Sequence, residues 1–279
     1  MSEPQSLYWS VLPYLVGISV ATDTDGDAGR WVKGARRFVL SGSIFDYRGL
    51  WFLATAGHVL SNLDKIVRSG GQLTIALFDG WSADKASPVP VPLHYDPAWA
   101  FSYDDNKIDF GIILLPENTR ALLESNGVQP IGPQHHNHEP DDDRFERCAV
   151  LGIPSSSQSA RPDGDMIALG MAPTLVQLEH RFEIPEPVLK KGVPLWYGRF
   201  LREDEPDFGG MDGMSGGPVF GFRVQDDGGI WFQVIGIQYA VRRHSKYTYV
   251  IVTPWFVVSH FLDEIIRRVP ADGPKPSEP

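Results

Sequence analysis

The chain has 279 residues, 42% hydrophobic and 22% charged, with a formal net charge of −10. Such a composition belongs to a folded chain with a substantial core, not to a disordered one, and the single cysteine, Cys148, excludes an internal disulfide. The acid excess disfavours nonspecific nucleic-acid binding, which needs Lys and Arg on phosphates. No run of about 18 apolar residues marks a membrane span. The opening MSEPQSLYWSVLPYLVGISV has no basic residue before its apolar part and no small-residue cleavage site after it. A cytoplasmic protein with neither nucleic acid nor membrane as partner is expected.

In chain order, strands are predicted over 14–22, 37–48, 50–56, 73–79, 110–116, 147–154, 166–172, 174–180, 218–225, 230–241 and 247–253. Each is rich in Val, Ile, Phe, Tyr or Trp and is bounded by Gly, Pro, Asp or Asn. Strands at this spacing, without long amphipathic helices between them, point to an all-β sandwich or barrel. The clearest helix comes last: Phe256, Val257, His260, Phe261, Ile265 and Val269 recur at helical spacing, with Thr253 as cap, Pro254 in the first turn and Pro270 as stop. The expected layout is one β unit over 1–118, a linker over 119–147, a second β unit with its helix over 148–269, and a polar, disordered tail over 270–279.

Chemistry is suggested by three short segments: ATAGHVL around His58, IDFGIILL around Asp109 and DGMSGGPVF around Ser215. A serine hydroxyl is a poor nucleophile at neutral pH. It needs a histidine to take its proton, and the histidine needs a buried acceptor to fix its tautomer and steady its charge. His, Asp, Ser is one of the chain orders in which such a triad occurs. Gly213-Met-Ser-Gly-Gly217 also fits the nucleophile elbow of α/β-hydrolases. That elbow opens a helix and is followed by its acid and histidine on a parallel sheet. Here Gly-Gly-Pro and a strand-like VFGF follow, and the chain after Ser215 is too short for such a sheet.

The three segments resemble the active-site blocks of the trypsin-like, chymotrypsin-fold serine peptidases. The lead-in SGSIFDYRGLWFLATAGHVL and the stretches GIPSSS and VIGIQYA are similar to strands of that family, so the resemblance spans roughly residues 10–260. It implies two packed six-stranded antiparallel β-barrels with a C-terminal helix. The first barrel would carry His58 as general base and Asp109 as its orienting carboxylate. The second would carry Ser215 as nucleophile, with the N–H groups of Gly213 and Ser215 as the oxyanion hole. The implied activity is a serine endopeptidase acting on a protein or peptide, with no metal and no cofactor.

The sequence departs from the family at Met214, where many secreted members carry an Asp that pairs with a new N-terminus, and at Val59, where vertebrate members carry a disulfide cysteine. The bacterial and intracellular members without disulfides are the nearer analogues. The substrate pocket is expected to have Gly209 at its floor and Gly236, Ile237 and Gln238 along one wall. Asp207 and Asp212 lie close in sequence, and Arg242, Arg243 and His244 beyond the wall would suit an acidic side chain. The glycine-rich approach through Gly209, Gly210 and Gly213 suggests an oxyanion loop that an activating protein partner or substrate orders. A conditionally silent peptide-binding or signalling module on the same scaffold is the alternative.

Three weaker signals receive structural readings. Asp23–Asp27 does not keep the calcium-loop spacing and reads as a polar hairpin. His135, His136 and His138 beside Asp141–Asp143 fit no tetrahedral zinc pattern and read as a solvated linker. Cys148 opens an apolar strand and reads as core.

Overall fold

The computed structural model describes residues 3–22, 37–78, 90–104, 108–138, 143–163, 166–170, 172–204 and 211–268. Helix α1 (Glu3–Val11) leads into a first antiparallel sheet. Its strands are β1 (Leu15–Thr22), β2 (Arg37–Tyr47), β3 (Leu50–Thr55), β4 (Leu73–Phe78), β5 (Val91–Leu93), β6 (Ala100–Asp104) and β7 (Asp109–Leu114), in the order β5-β4-β1-β2-β3-β7-β6. Among the described residues this sheet has seven strands, where the family resemblance implies six per barrel. The short β5 pairs with β4 alone, and Pro92 is tolerated there because an edge strand needs hydrogen bonds on one side only.

β2 and β3 form a hairpin closed by Arg48 and Gly49, both at positive φ (55° and 80°). A two-residue turn of that hand matches the right-handed twist of the strands it joins. The hairpin feeds helix α2 (Gly57–Arg68), so His58 lies in the first turn of a helix rather than in a strand-end turn. Val59, Leu60, Leu63 and Ile66 are the buried stripe of α2, a helical spacing present in HVLSNLDKIV.

Helix α3 (Glu117–Ser125) opens the connection to the second sheet. The connection is stitched to both sheets, since Ile131 bridges Phe45 and His136 bridges Val234. The second sheet contains β8 (Arg147–Gly152), β11 (Thr174–Leu178), β12 (Trp196–Leu201), β13 (Pro218–Val224), β14 (Ile230–His244) and β15 (Tyr247–Pro254). Their order is β11-β8-β13-β14-β15-β12, and β9 (Ser159–Asp163) with β10 (Met166–Gly170) makes a separate hairpin. Glu179 and Arg199 exchange backbone hydrogen bonds of 2.8 and 2.9 Å just beyond β11 and within β12, which brings the two outer strands of this sheet together. Helix α4 (Trp255–Arg268) closes the described chain and begins directly after β15, so Pro254 ends a strand instead of opening the helix. Asp23–Asp27, Val269 and the tail over 270–279 lie outside the described residues.

Three apolar clusters explain the arrangement. One runs from the first sheet and α2, with Leu60 and Leu63, to Tyr197, Tyr239, Tyr249 and Ile251 of the second sheet. One fills the second sheet with Val150, Val219, Ile235 and Val252. A third joins the sheets, combining Phe45, Phe110 and Ile112 with Leu151, Phe220 and Trp255, and within it Phe45 and Trp255 stack at 4.4 Å. Cys148 is buried in the second-sheet cluster, as its sequence setting suggests. Among the described residues, no helix is long and apolar enough to cross a membrane.

Candidate active site

Asp109 is the first residue of β7, whose residues are buried throughout. Its side chain is almost entirely covered, at 9% relative exposure, and both carboxylate oxygens are engaged. Oδ1 accepts the backbone N–H of His58 at 3.0 Å, and Oδ2 lies 2.7 Å from His58 Nδ1. A carboxylate can only accept, so Nδ1 carries a ring proton, and in the neutral imidazole Nε2 holds the lone pair. Gly57 makes this approach possible. A Cβ there would lie 2.1 Å from Tyr103 O and 2.8 Å from Asp109 Oδ1. From the second sheet, Thr253 Oγ1 donates to Asp109 O at 3.0 Å, fixing the acid from behind.

Ser215 lies in the turn that precedes β13, and that turn is tied down from several sides. Gly216 N donates to Gln238 O at 2.7 Å, Gln238 N to Gly217 O at 2.9 Å, and Gly217 N to Met214 O at 2.9 Å. Ser41, fully buried on β2, donates through Oγ to Gly213 O at 3.1 Å and accepts Ile153 N–H at 2.8 Å. Thr55 Oγ1 in turn donates to Ser41 O at 2.9 Å. Gly216, at φ 93°, is pressed so closely onto the first sheet that a Cβ would meet Thr55 Oγ1 at 2.2 Å, Ser41 O at 2.4 Å and Ala56 N at 2.9 Å. The serine turn therefore docks on the residues immediately before His58. No sequence motif singles out Ser41 or Thr55, and Thr253, expected as a helix cap, donates to Asp109 O. Ser41 and Thr55 sit inside the segments SGSIF and ATAG.

Ser155 N donates to Asp212 O at 2.7 Å. In a trans peptide the C=O and the following N–H point in opposite directions, so the Gly213 N–H faces away from Ser155. Among the described residues neither the Gly213 N–H nor the Ser215 N–H has an acceptor, which leaves two backbone donors flanking Met214. The positive φ of Gly213 (88°) is cheap only for glycine. Met214 is itself buried in the second-sheet cluster, so that position contributes packing and no charge. Ser215 Oγ points to Tyr239 O at 3.5 Å, and no hydrogen bond joins it to the His58 ring among the described residues.

The residues of the expected substrate wall, Gly236, Ile237 and Gln238, all lie on β14. Gly236 and Ile237 are paired on both sides, with β13 and β15, and Ile237 is buried in the cluster between the sheets. Both therefore stand inside the sheet. The pairing with β13 stops at Ile237, and a β-bulge between Gln238 and Ala240 follows. Bulges of this kind re-aim a strand next to functional sites, and here Tyr239, inside the bulge, is the residue that meets Ser215. Gln238 is buried beside the serine turn. Arg242 reaches Pro187 O at 3.1 Å, away from the strand interior. Gly209, Gly210 and Asp207 lie outside the described residues, while Asp212 is exposed. His135 and His136 are occupied by the carbonyls of Phe232 and Ile131, at 3.1 Å each.

No protein-family model matches the chain, and no curated protein matches it in sequence. Solved structures do match. The inactivated protease paralogue S-I1 of the scabies mite superposes with a TM-score of 0.50 at 13% identity, over 92% of this chain and 96% of that one. This is a chymotrypsin-like fold. Human heparin binding protein (TM-score 0.47, 15% identity, 95% of each chain) and a catalytically inactive tobacco etch virus protease complexed with substrate (0.41, 13%, 91% and 86%) are further, weaker matches. At such identities the likeness concerns the chymotrypsin-like fold alone. Function has to be argued from the site grafted on it.

Proposed function

We propose that the chain is a serine endopeptidase in which His58, Asp109 and Ser215 act together on a protein or peptide substrate. The observation that carries this reading is the double grip of Asp109 on His58, with the Ser215 turn docked against Ala56. His58 Nε2, free to accept, takes the proton from Ser215 Oγ as that oxygen bonds to the scissile carbonyl carbon. Asp109 stabilises the imidazolium that forms. The Gly213 and Ser215 N–H groups receive the carbonyl oxygen as it becomes an oxyanion. His58 then hands its proton to the leaving amine, and water repeats the sequence on the acyl-enzyme.

For attack, the Ser215 hydroxyl must leave Tyr239 O and turn to His58. A rotation about χ1 moves a side chain between staggered wells, and catalytic hydrogen bonds are often loose before substrate binds. The same resting orientation is what favours the second reading, a conditionally silent module that an activating protein partner switches on.

A fluorophosphonate probe followed by intact mass on wild type, Ser215→Ala and His58→Ala separates the two. One adduct on wild type, lost in both variants, is the expected result. A folded wild type that takes no adduct refutes a resting, competent nucleophile and favours the silent module.

A further inference from the structure

The strand beside Ser215 buries a carboxamide that has no hydrogen-bond partner among the described residues. Gln238 is 0% exposed, and among the described residues neither its Oε1 nor its Nε2 has a hydrogen-bond partner. Its backbone is fully used, by Gly216 N on one side and Gly217 O on the other. Gln238 is thus fastened to the two residues that follow Ser215, and it precedes the residue whose carbonyl meets Ser215 Oγ.

The register shows which way its side chain goes. Gln238 lies opposite Val252 on β15, and Val252 lies opposite Trp196 on β12. Residues directly opposite share a face of the sheet. Val252 and Trp196 belong to the second-sheet cluster, together with Met211 and Met214 from the serine turn. Trp196 Nε1 is likewise buried with no partner. One row across three strands therefore holds three polar atoms without bonds among the described residues, next to the serine turn and beside the apolar second-sheet cluster.

An apolar residue of the same size would cost less to bury, since each orphaned donor or acceptor forfeits its hydration. Buried polar groups of this kind call for a ligand or a water that completes them. Resting on the reading of Ser215 as nucleophile, we propose that Gln238 receives the substrate side chain adjoining the scissile carbonyl and selects a neutral carboxamide there, Gln or Asn. A carboxamide both donates and accepts, so it satisfies Oε1 and Nε2 of Gln238 together. An apolar side chain leaves them orphaned. A carboxylate or ammonium buried at that depth requires an opposite charge, and neither Trp196, Met211, Met214, Val250 nor Val252 of the cluster supplies one.

The test uses peptidyl diphenyl phosphonates that differ only in the residue carrying phosphorus (Gln, Asn, Leu, Lys or Glu), with labelling rates followed by intact mass. A fluorophosphonate without a side chain serves as control. In wild type the Gln and Asn probes should react at least about 100-fold faster than the Leu probe, as expected for a site built to hydrogen-bond its ligand. Gln238→Leu and Gln238→Met should each reverse that order. Both variants should also unfold at a higher temperature than wild type, because the orphaned carboxamide is gone. Equal rates for all peptidyl probes, or a Gln preference that survives both substitutions, would overturn the assignment. With the fluorophosphonate still reacting at Ser215, either result leaves the nucleophile reading standing. A wild type that reacts with neither probe type overturns both.

Discussion

Replacing Ser41 with alanine removes one hydroxyl that links three parts of the molecule. Its Oγ accepts Ile153 N–H and donates to Gly213 O, in a position with no exposed surface. The bond from Thr55 Oγ1 goes to the Ser41 carbonyl and survives the substitution. Two backbone groups, one N–H and one C=O, lose their partner. Orphaning a buried polar group costs about 1–3 kcal/mol. Part of that is offset because a methyl is easier to bury than a hydroxyl, so a net loss of about 2–4 kcal/mol follows. For a chain of this size that lowers Tm by roughly 5–15 °C. The Gly213 carbonyl is also what orients the turn before Ser215, so fluorophosphonate labelling should slow even well below the new Tm. Differential scanning calorimetry and labelling rates on Ser41→Ala and wild type read the two effects separately. A Tm within about 1 °C of wild type, with unchanged labelling, would refute the claim that Ser41 anchors the serine turn.

Two further outcomes are expected. In Asp109→Asn, the amide oxygen can still accept the His58 backbone N–H, but the NH₂ then faces Nδ1 and forces the ring proton onto Nε2. Labelling of Ser215 should fall by about 10⁴ with little change in Tm, and loss of fold instead would point to a structural role. His136 is buried, and burial pushes its pKa down to about 4. Unfolded, it would titrate near its ordinary value of about 6.5. Its contribution is therefore intact above pH 6.5 and is lost as pH falls toward 4, by up to about 3 kcal/mol. A Tm series against pH should show this slope in wild type and a shallower one in His136→Phe, where an uncharged ring still packs on Trp255 and Phe45. Parallel curves would refute it.

The strands of both sheets that read clearly from sequence did so because half or more of their residues are apolar and their ends are marked by turn residues. The pairs 50–56 against β3 and 218–225 against β13 agree to within a residue or two. The strands that stayed hidden are of another kind. β5 is three residues long with a proline in the middle, and β6 (AFSYD) is half polar. Their strand state comes from neighbours that offer hydrogen bonds. Helix α2 was missed because LWFLATAGHVL runs on as one apolar stretch, and periodicity over so few residues does not separate a strand from a buried helix.

The identity of the candidate chemistry was contained in the sequence, since local segments hold a serine among glycines, a histidine after TAG and an aspartate at the head of an apolar run. Geometry was not. The grip of Asp109 on His58 is made across 51 residues and the tie from Ser41 to Gly213 across 172. Neither leaves a trace in any window of the chain. The same holds for the wall of the site. The stretch VIGIQYA is a strand in any context, but the end of its pairing with β13 and the bulge at Tyr239 decide which residues face the serine. Sequence determines residue types and local conformations, because those depend on near neighbours. Which groups meet, and which side chains are buried without a partner among the described residues, as the Gln238 carboxamide is, depends on how two sheets pack, and only the tertiary structure decides that.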